Sequence, residues 1–185
     1  AVVYARSNDP YDSPSVQSKS LSNGATTSVI TMVTAGAGRN IEASDAMSFN
    51  GFAGIDDYTQ GSILADPNTS IRLVIVPGGM TLDSGKPPYD GAGGTSGASG
   101  TAMAGVVYPI TAYMTDNWYN TKSTNVAVTA RLSTPDSWDS SAPGDTDKVI
   151  LTGNTQATWN WVFYTSTSGA SGWGVTVASL DTPHA

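Results

Sequence analysis

Across 185 residues, no window of twelve places apolar side chains at the three-and-four spacing of an amphipathic helix, whereas period-two alternation recurs throughout. In "NVAVTARLS", Val126, Val128, Ala130 and Leu132 alternate with Ala127, Thr129 and Arg131, as in a half-buried strand. "TWNWVFYT" puts Trp159, Trp161 and Phe163 on one face, and "GWGVTVASL" does the same with Trp173, Val175 and Val177. "SIRLVIVP" (70–77) is apolar on both faces, which predicts a central, doubly covered strand. Further strands are expected in 26–35, 40–46, 61–65, 105–114 and 147–153, and Pro109 marks the strand at 105–114 as an edge or a bulge. Eight or nine strands separated by turn signals, with no crossover helices, predict an all-β chain. The expected form is a single antiparallel β-barrel or sandwich of jelly-roll type.

Three segments fall outside this pattern. Residues 1–25, mixing Ser, Asn, Asp and Pro, read as an extended N-terminal arm before a single β-barrel domain at 26–185. Residues 78–104 carry no strand-like run, and 134–146 form an acidic loop around Trp138. Loops of this length are usually functional or flexible.

Charge narrows the partners. Fourteen of the fifteen acids are Asp and only Glu42 is Glu, against four Lys and four Arg, for a net charge of −7. Eight scattered cations do not make the clustered basic patch that phosphate backbones require, so no direct nucleic-acid partner is expected. The preference for Asp has two readings: Asp side chains satisfy turn donors, or the surface suits concentrated salt, where screening shortens to about 3 Å at 1 M. With no Cys there are no disulfides, thiolate catalysis or Cys-based metal sites. No apolar run is long enough to span a membrane as a helix, and "AVVYARSNDP" has no apolar stretch of signal-peptide length.

"GAGGTSGASGTAMAG" (91–105) fails as a phosphate loop. Gly91 and Gly93 are followed by Ser96 where the dinucleotide fingerprint needs a third glycine, and the only Gly-Lys, Gly85–Lys86, runs into Pro87. The stretch is expected to be a strand-linking loop, mobile in the free chain and ordered at a subunit contact. The single His, His184, lies beside the last residue of the sequence, a poor place for a general base, and there is no GxSxG elbow. No catalytic or cofactor-binding residues are assigned, and no enzyme activity is expected. Asp145 with Asp147, Asp136 with Asp139, and Asp56 with Asp57 offer oxygens for Ca²⁺ but match no calcium loop. Turn capping is the favoured role for them, and no metal ligands are assigned. "NTS" at Asn68 is a formal glycosylation acceptor that chance explains. Trp159, Trp161, Trp173 and Phe163 are expected in the core. Trp118 and Trp138, in polar loops, are candidates either for an interface or sugar contact or for local packing.

A small β domain with a polar arm, long Gly/Ser/Thr loops, no Cys and an acidic, Lys-poor surface resembles a virus coat subunit. More narrowly, it resembles the smaller major capsid protein of tailless icosahedral viruses with an internal membrane and upright single β-barrels, a group that includes viruses of halophilic archaea. The resemblance spans the whole chain in length and character and assigns no individual residue. It implies a structural protein of the virion that pairs with itself and with a second, larger β-barrel coat protein, apposed to the viral membrane without spanning it. The alternative is a secreted carbohydrate-binding or adhesin β-sandwich, with Trp118 and Trp138 stacking on sugar.

Overall fold

A computed structural model describes the chain except at residues 13, 47–57, 70–71, 139–145, 168–171, 173 and 182–185. Asp56, Asp57, Asp139, Asp145, Trp173 and His184 therefore lie outside the described residues. The described residues form twelve strands and no helix, and every strand pair is antiparallel. The all-β expectation holds. The chain divides into two compact units, Ala1–Pro67 with Gly85–Pro87, and Asn68–Ser84 with Pro88–Ala185. The expected boundary was after residue 25.

The first unit is a four-stranded sheet. Its strands are β1 (Val2–Ser7), β2 (Gln17–Ser20), β3 (Gly36–Ser44) and β4 (Tyr58–Ala65), in the order β2-β1-β3-β4. Residues 1–25, expected as an extended arm, thus supply a hairpin whose β1 is paired on both sides. The strand expected at 26–35 does not form. There the backbone N–H groups of Val33 and Thr34 donate to the Asp9 carboxylate (2.6 and 2.7 Å), and not to a neighbouring strand. The β3/β4 ladder shifts register around Arg39, beside Gly38 with its positive φ of 76°, and Ser62 of β4 has φ 62°.

The second unit holds β5 (Arg72–Pro77), β6 (Thr81–Leu82), β7 (Thr95–Ser96), β8 (Val107–Thr115), β9 (Val128–Ser133), β10 (Asp147–Ile150), β11 (Gln156–Val162) and β12 (Thr176–Ser179). These form sheets β11-β8-β5 and β10-β9-β12 and a small β6-β7 hairpin. Alternation decides what each strand buries. Tyr108, Ile110 and Ala112 of β8, Trp159 and Trp161 of β11, and Ala130 and Leu132 of β9 point into one core that Phe163 completes. Leu73, Ile75 and Val177 pack against its margin. Trp159 keeps its indole N–H satisfied by donating to the Thr146 carbonyl at 3.1 Å. The two three-stranded sheets therefore share a core and also approach each other at both margins, β10 beside β11 and β12 beside β5. Among the described residues no ladder joins them, so the strand pairing shows antiparallel sheets without showing a closed barrel or a jelly roll.

Two expectations about strand position change. β5 is covered on both faces, with Val74 and Val76 buried and Leu73 and Ile75 against the core, yet it is an edge strand. β8, which carries Pro109, is the central strand, and neither of its ladders bulges. The reason is directional. The Pro109 carbonyl accepts from Gly78 N–H at 2.9 Å, so its missing N–H also faces the β5 side, beyond the end of that strand at Pro77. No bond to β11 is lost.

Candidate interaction surface

The glycine stretch is fixed from within its own unit. Thr95 and Ser96 pair with Leu82 and Thr81, Asp83 N–H donates to the Gly94 carbonyl (2.8 Å), and Gly100 N–H donates to the Gly78 carbonyl (2.7 Å). The Tyr108 hydroxyl donates to the carbonyls of Gly78 and Gly100. Gly94 is the position where glycine is required. Its φ is +79°, and a Cβ there would lie 2.3 Å from the Tyr119 ring. Tyr119 is fully buried with φ 63°, its hydroxyl donating to the Pro88 carbonyl (2.8 Å) and accepting from Gly91 N–H (3.0 Å). The expectation that this stretch takes its order from a neighbouring subunit is replaced by an internal cause: glycines let the chain close over an aromatic ring.

Three buried carboxylates repeat one arrangement. In Asp9-Pro10-Tyr11, Asp116-Asn117-Trp118 and Asp136-Ser137-Trp138, Oδ1 accepts the N–H two residues on, at 3.0, 2.8 and 3.1 Å. In each, Oδ2 accepts from a segment distant in sequence. Asp9 holds Val33 and Thr34, Asp116 holds Asn68 (2.9 Å), and Asp136 holds Tyr164 and Thr165 (2.9 and 3.1 Å). Burial pushes the Asp9 carboxyl upward, but donors from Thr34, Tyr11 and Val33 outweigh it and hold the pKa below its ordinary value of 3.8. Asp136 behaves likewise, burial being outweighed by Thr165, Trp138 and Tyr164. Asp fits this role because its side chain is short and carries two acceptor oxygens, one reaching its own turn and the other a segment distant in sequence.

Of the residues considered as calcium ligands, Asp136 thus has its oxygens on backbone donors. Asp147 takes two 2.7 Å bonds from Arg131 Nε and Nη2, which lower its pKa. Among the described residues no three His, Cys, Asp or Glu side chains cluster. Trp118 is half-buried, whereas Trp138 is 75% exposed.

Trp138 does not stand alone. The carboxylate that fixes its turn also fixes Tyr164, and Phe163 next to Tyr164 accepts from Gly105 N–H at 2.7 Å. Val106 follows Gly105 and donates to the Met103 carbonyl, and Val107 pairs with Val162. Met103, Val106, Val107, Trp138 and Tyr164, between 50% and 75% exposed, are therefore joined through backbone contacts at one end of the β8/β11 pair. Two exposed aromatics whose backbones one carboxylate holds, with three exposed aliphatic residues linked to them through the backbone, offer apolar area suited to contact. Sequence reasoning found Trp138 here and missed the rest. The D-x-aromatic spacing was the available signal for the turns, while Tyr164 becomes part of the surface only through the long-range reach of Asp136.

Comparison with protein-family models, with curated proteins and with solved structures finds no match to this chain.

Proposed function

We propose that this chain is a structural subunit of a virus shell, assembling with copies of itself and with a second, larger coat protein. The observation that carries the proposal is the exposed apolar surface around Trp138 and Tyr164. A monomer gains nothing by fixing two aromatics in water on a buried carboxylate, whereas a subunit gains a preorganised contact. Strand β4 supports the same reading. It is an edge of eight residues, "YTQGSILA", without charge or proline, and it exposes Tyr58 and Leu64. Edges of that kind are normally blunted unless a partner covers them.

A barrel or sandwich of jelly-roll type is part of the proposal, supported by the shared core of the two three-stranded sheets and their approach at both margins. The proposed subunit is non-enzymatic, resides in the virion above an internal membrane that it does not span, and makes no direct contact with nucleic acid.

Light scattering across a salt series tests the reading. Copies carrying −7 repel one another at low salt, so association is expected to increase toward molar salt, where the screening length falls to about 3 Å. A monomer at every salt concentration, with and without the larger coat protein, overturns the proposal. The exposed rings of Trp138 and Tyr164 also suit stacking on sugar, and a single clear hit on a glycan array would favour that second reading.

A further inference from the structure

A cleft of about 250 Å³ lies in the second unit, with Arg72 to Ile75 of β5 on one side, Gly91 to Gly93 opposite, and Tyr119 beside them. Four consecutive strand residues cannot all line a cleft on one face, because successive side chains alternate. The cleft therefore follows the edge of β5.

The pairing register says what that edge presents. The bond from Gly78 N–H to the Pro109 carbonyl fixes 78/109 as a bonded pair. The two-residue alternation then makes Val76/Thr111 and Val74/Tyr113 the next such pairs. Leu73 and Ile75 fall between them, so their N–H and C=O groups turn away from β8 toward the cleft, which no residue of β12 lines although β12 approaches the same margin of β5. The opposite wall is Gly-Ala-Gly and leaves room for main chain. Its N–H groups are already taken, Gly91 by the Tyr119 hydroxyl, Ala92 by Asp90 Oδ1 and Gly93 by the Pro88 carbonyl.

Arg72 supplies the charge. Its guanidinium lies 5.1 Å from the centre of the Tyr119 ring and is held by the Tyr89 carbonyl (3.4 and 3.5 Å) and Asn117 Oδ1 (3.3 Å). No carboxylate is among these partners, in a protein that carries fifteen acids. The nearby acids are engaged elsewhere, Asp90 by Ala92 N–H and Asp116 by Asn68, Trp118 and Asn120.

The geometry points to this cleft as a receptor for an extended, acidic segment of another protein chain, added as a strand along β5 with its Asp or Glu carboxylate on Arg72. Residues 72 to 75 span about 10 Å at the rise of a strand, room for a short segment, while drug-sized pockets begin at about 300 Å³. Main-chain bonds to Leu73 and Ile75 provide affinity, and the Arg72 guanidinium selects for the acid.

Titration calorimetry on the full chain, at a concentration where it is monomeric, tests this without relying on assembly. The probes are a capped seven-residue Val/Thr peptide with a central Asp, its Asn counterpart, and the Asp peptide N-methylated at alternate residues. The Asp peptide is expected to bind at least about 10-fold tighter than the Asn peptide, the gain of one charge-assisted contact. The N-methylated peptide is expected not to bind. Arg72→Gln should abolish the Asp/Asn difference, Arg72→Lys should retain part of it, and Arg39→Gln should leave it intact. Equal binding of the Asp and Asn peptides, unchanged binding after N-methylation, or no binding of any peptide to the native chain overturns the proposal.

Discussion

At the scale of single residues, the short acid side chain organises this molecule. Asp116 accepts three backbone N–H groups from Asn68, Trp118 and Asn120 while nearly fully buried. Asp116→Ala leaves those donors without their acceptor and should lower unfolding free energy by about 2–4 kcal/mol, read from urea denaturation. Asp9, Asp136 and Asp147 all have pKa values below the ordinary 3.8. A carboxylate whose pKa is lower folded than unfolded contributes fully above the unfolded value and loses that contribution as pH falls through the folded one. Melting temperature should therefore hold above about pH 5 and fall below about pH 4. Asp9→Asn should melt lower at neutral pH and show a shallower acid limb, and an unchanged limb would remove Asp9 from this role.

Glycine gives a second residue-scale contrast. Gly94 and Gly105 have similar positive φ, +79° and +76°, but a Cβ at Gly105 meets nothing within 4 Å. Gly105→Ala should cost about 1–2 kcal/mol for the left-handed backbone alone. Gly94→Ala adds the collision with Tyr119, a further penalty of about 1–3 kcal/mol. Thermal denaturation of the two variants separates the terms.

At the scale of elements, the alternation in "NVAVTARLS" reads directly onto β9, where Val128, Ala130 and Leu132 are buried and Arg131 is outside, paired with Asp147. Leu132→Ala should lose about 2–5 kcal/mol, whereas Val126→Ala, just before the strand and exposed, should stay within about 0.5 kcal/mol. The same alternation in "TWNWVFYT" puts Trp159, Trp161 and Phe163 in the core, where they lie. It failed where periodicity was not what decided pairing. Residues 26–35 look like a strand, but Val33 and Thr34 give their N–H groups to Asp9, while "VVYARS" looks like an arm but becomes β1. Pro109 looks like an edge marker, yet a proline is tolerated in a central strand where one neighbour has already ended.

For the whole molecule, a net charge of −7 opposes the self-association proposed above, and that repulsion weakens as salt screens it. Replacing Trp138 and Tyr164 together with Ser should reduce salt-dependent association at least about 10-fold, because aromatic anchors dominate contacts of this kind. The Asp136 turn remains in that variant, so circular dichroism should be unchanged. Sedimentation velocity showing the same association as the native chain would move the contact to another surface, β4 first.

Alternation and local hydrogen bonding are properties of neighbouring residues, so the all-β character of the described residues, the buried faces of β9 and β11 and the favoured turn role of Asp could be read from the sequence. The partners of those strands were decided only in three dimensions. Which strand is an edge, which carboxylate clamps which distant backbone, and which aromatic the glycines must clear all depend on segments far apart in the sequence. Asp136 shows the division within one side chain: Oδ1 makes a turn written in "DSW", and Oδ2 recruits Tyr164, 28 residues away, to the surface proposed for contact.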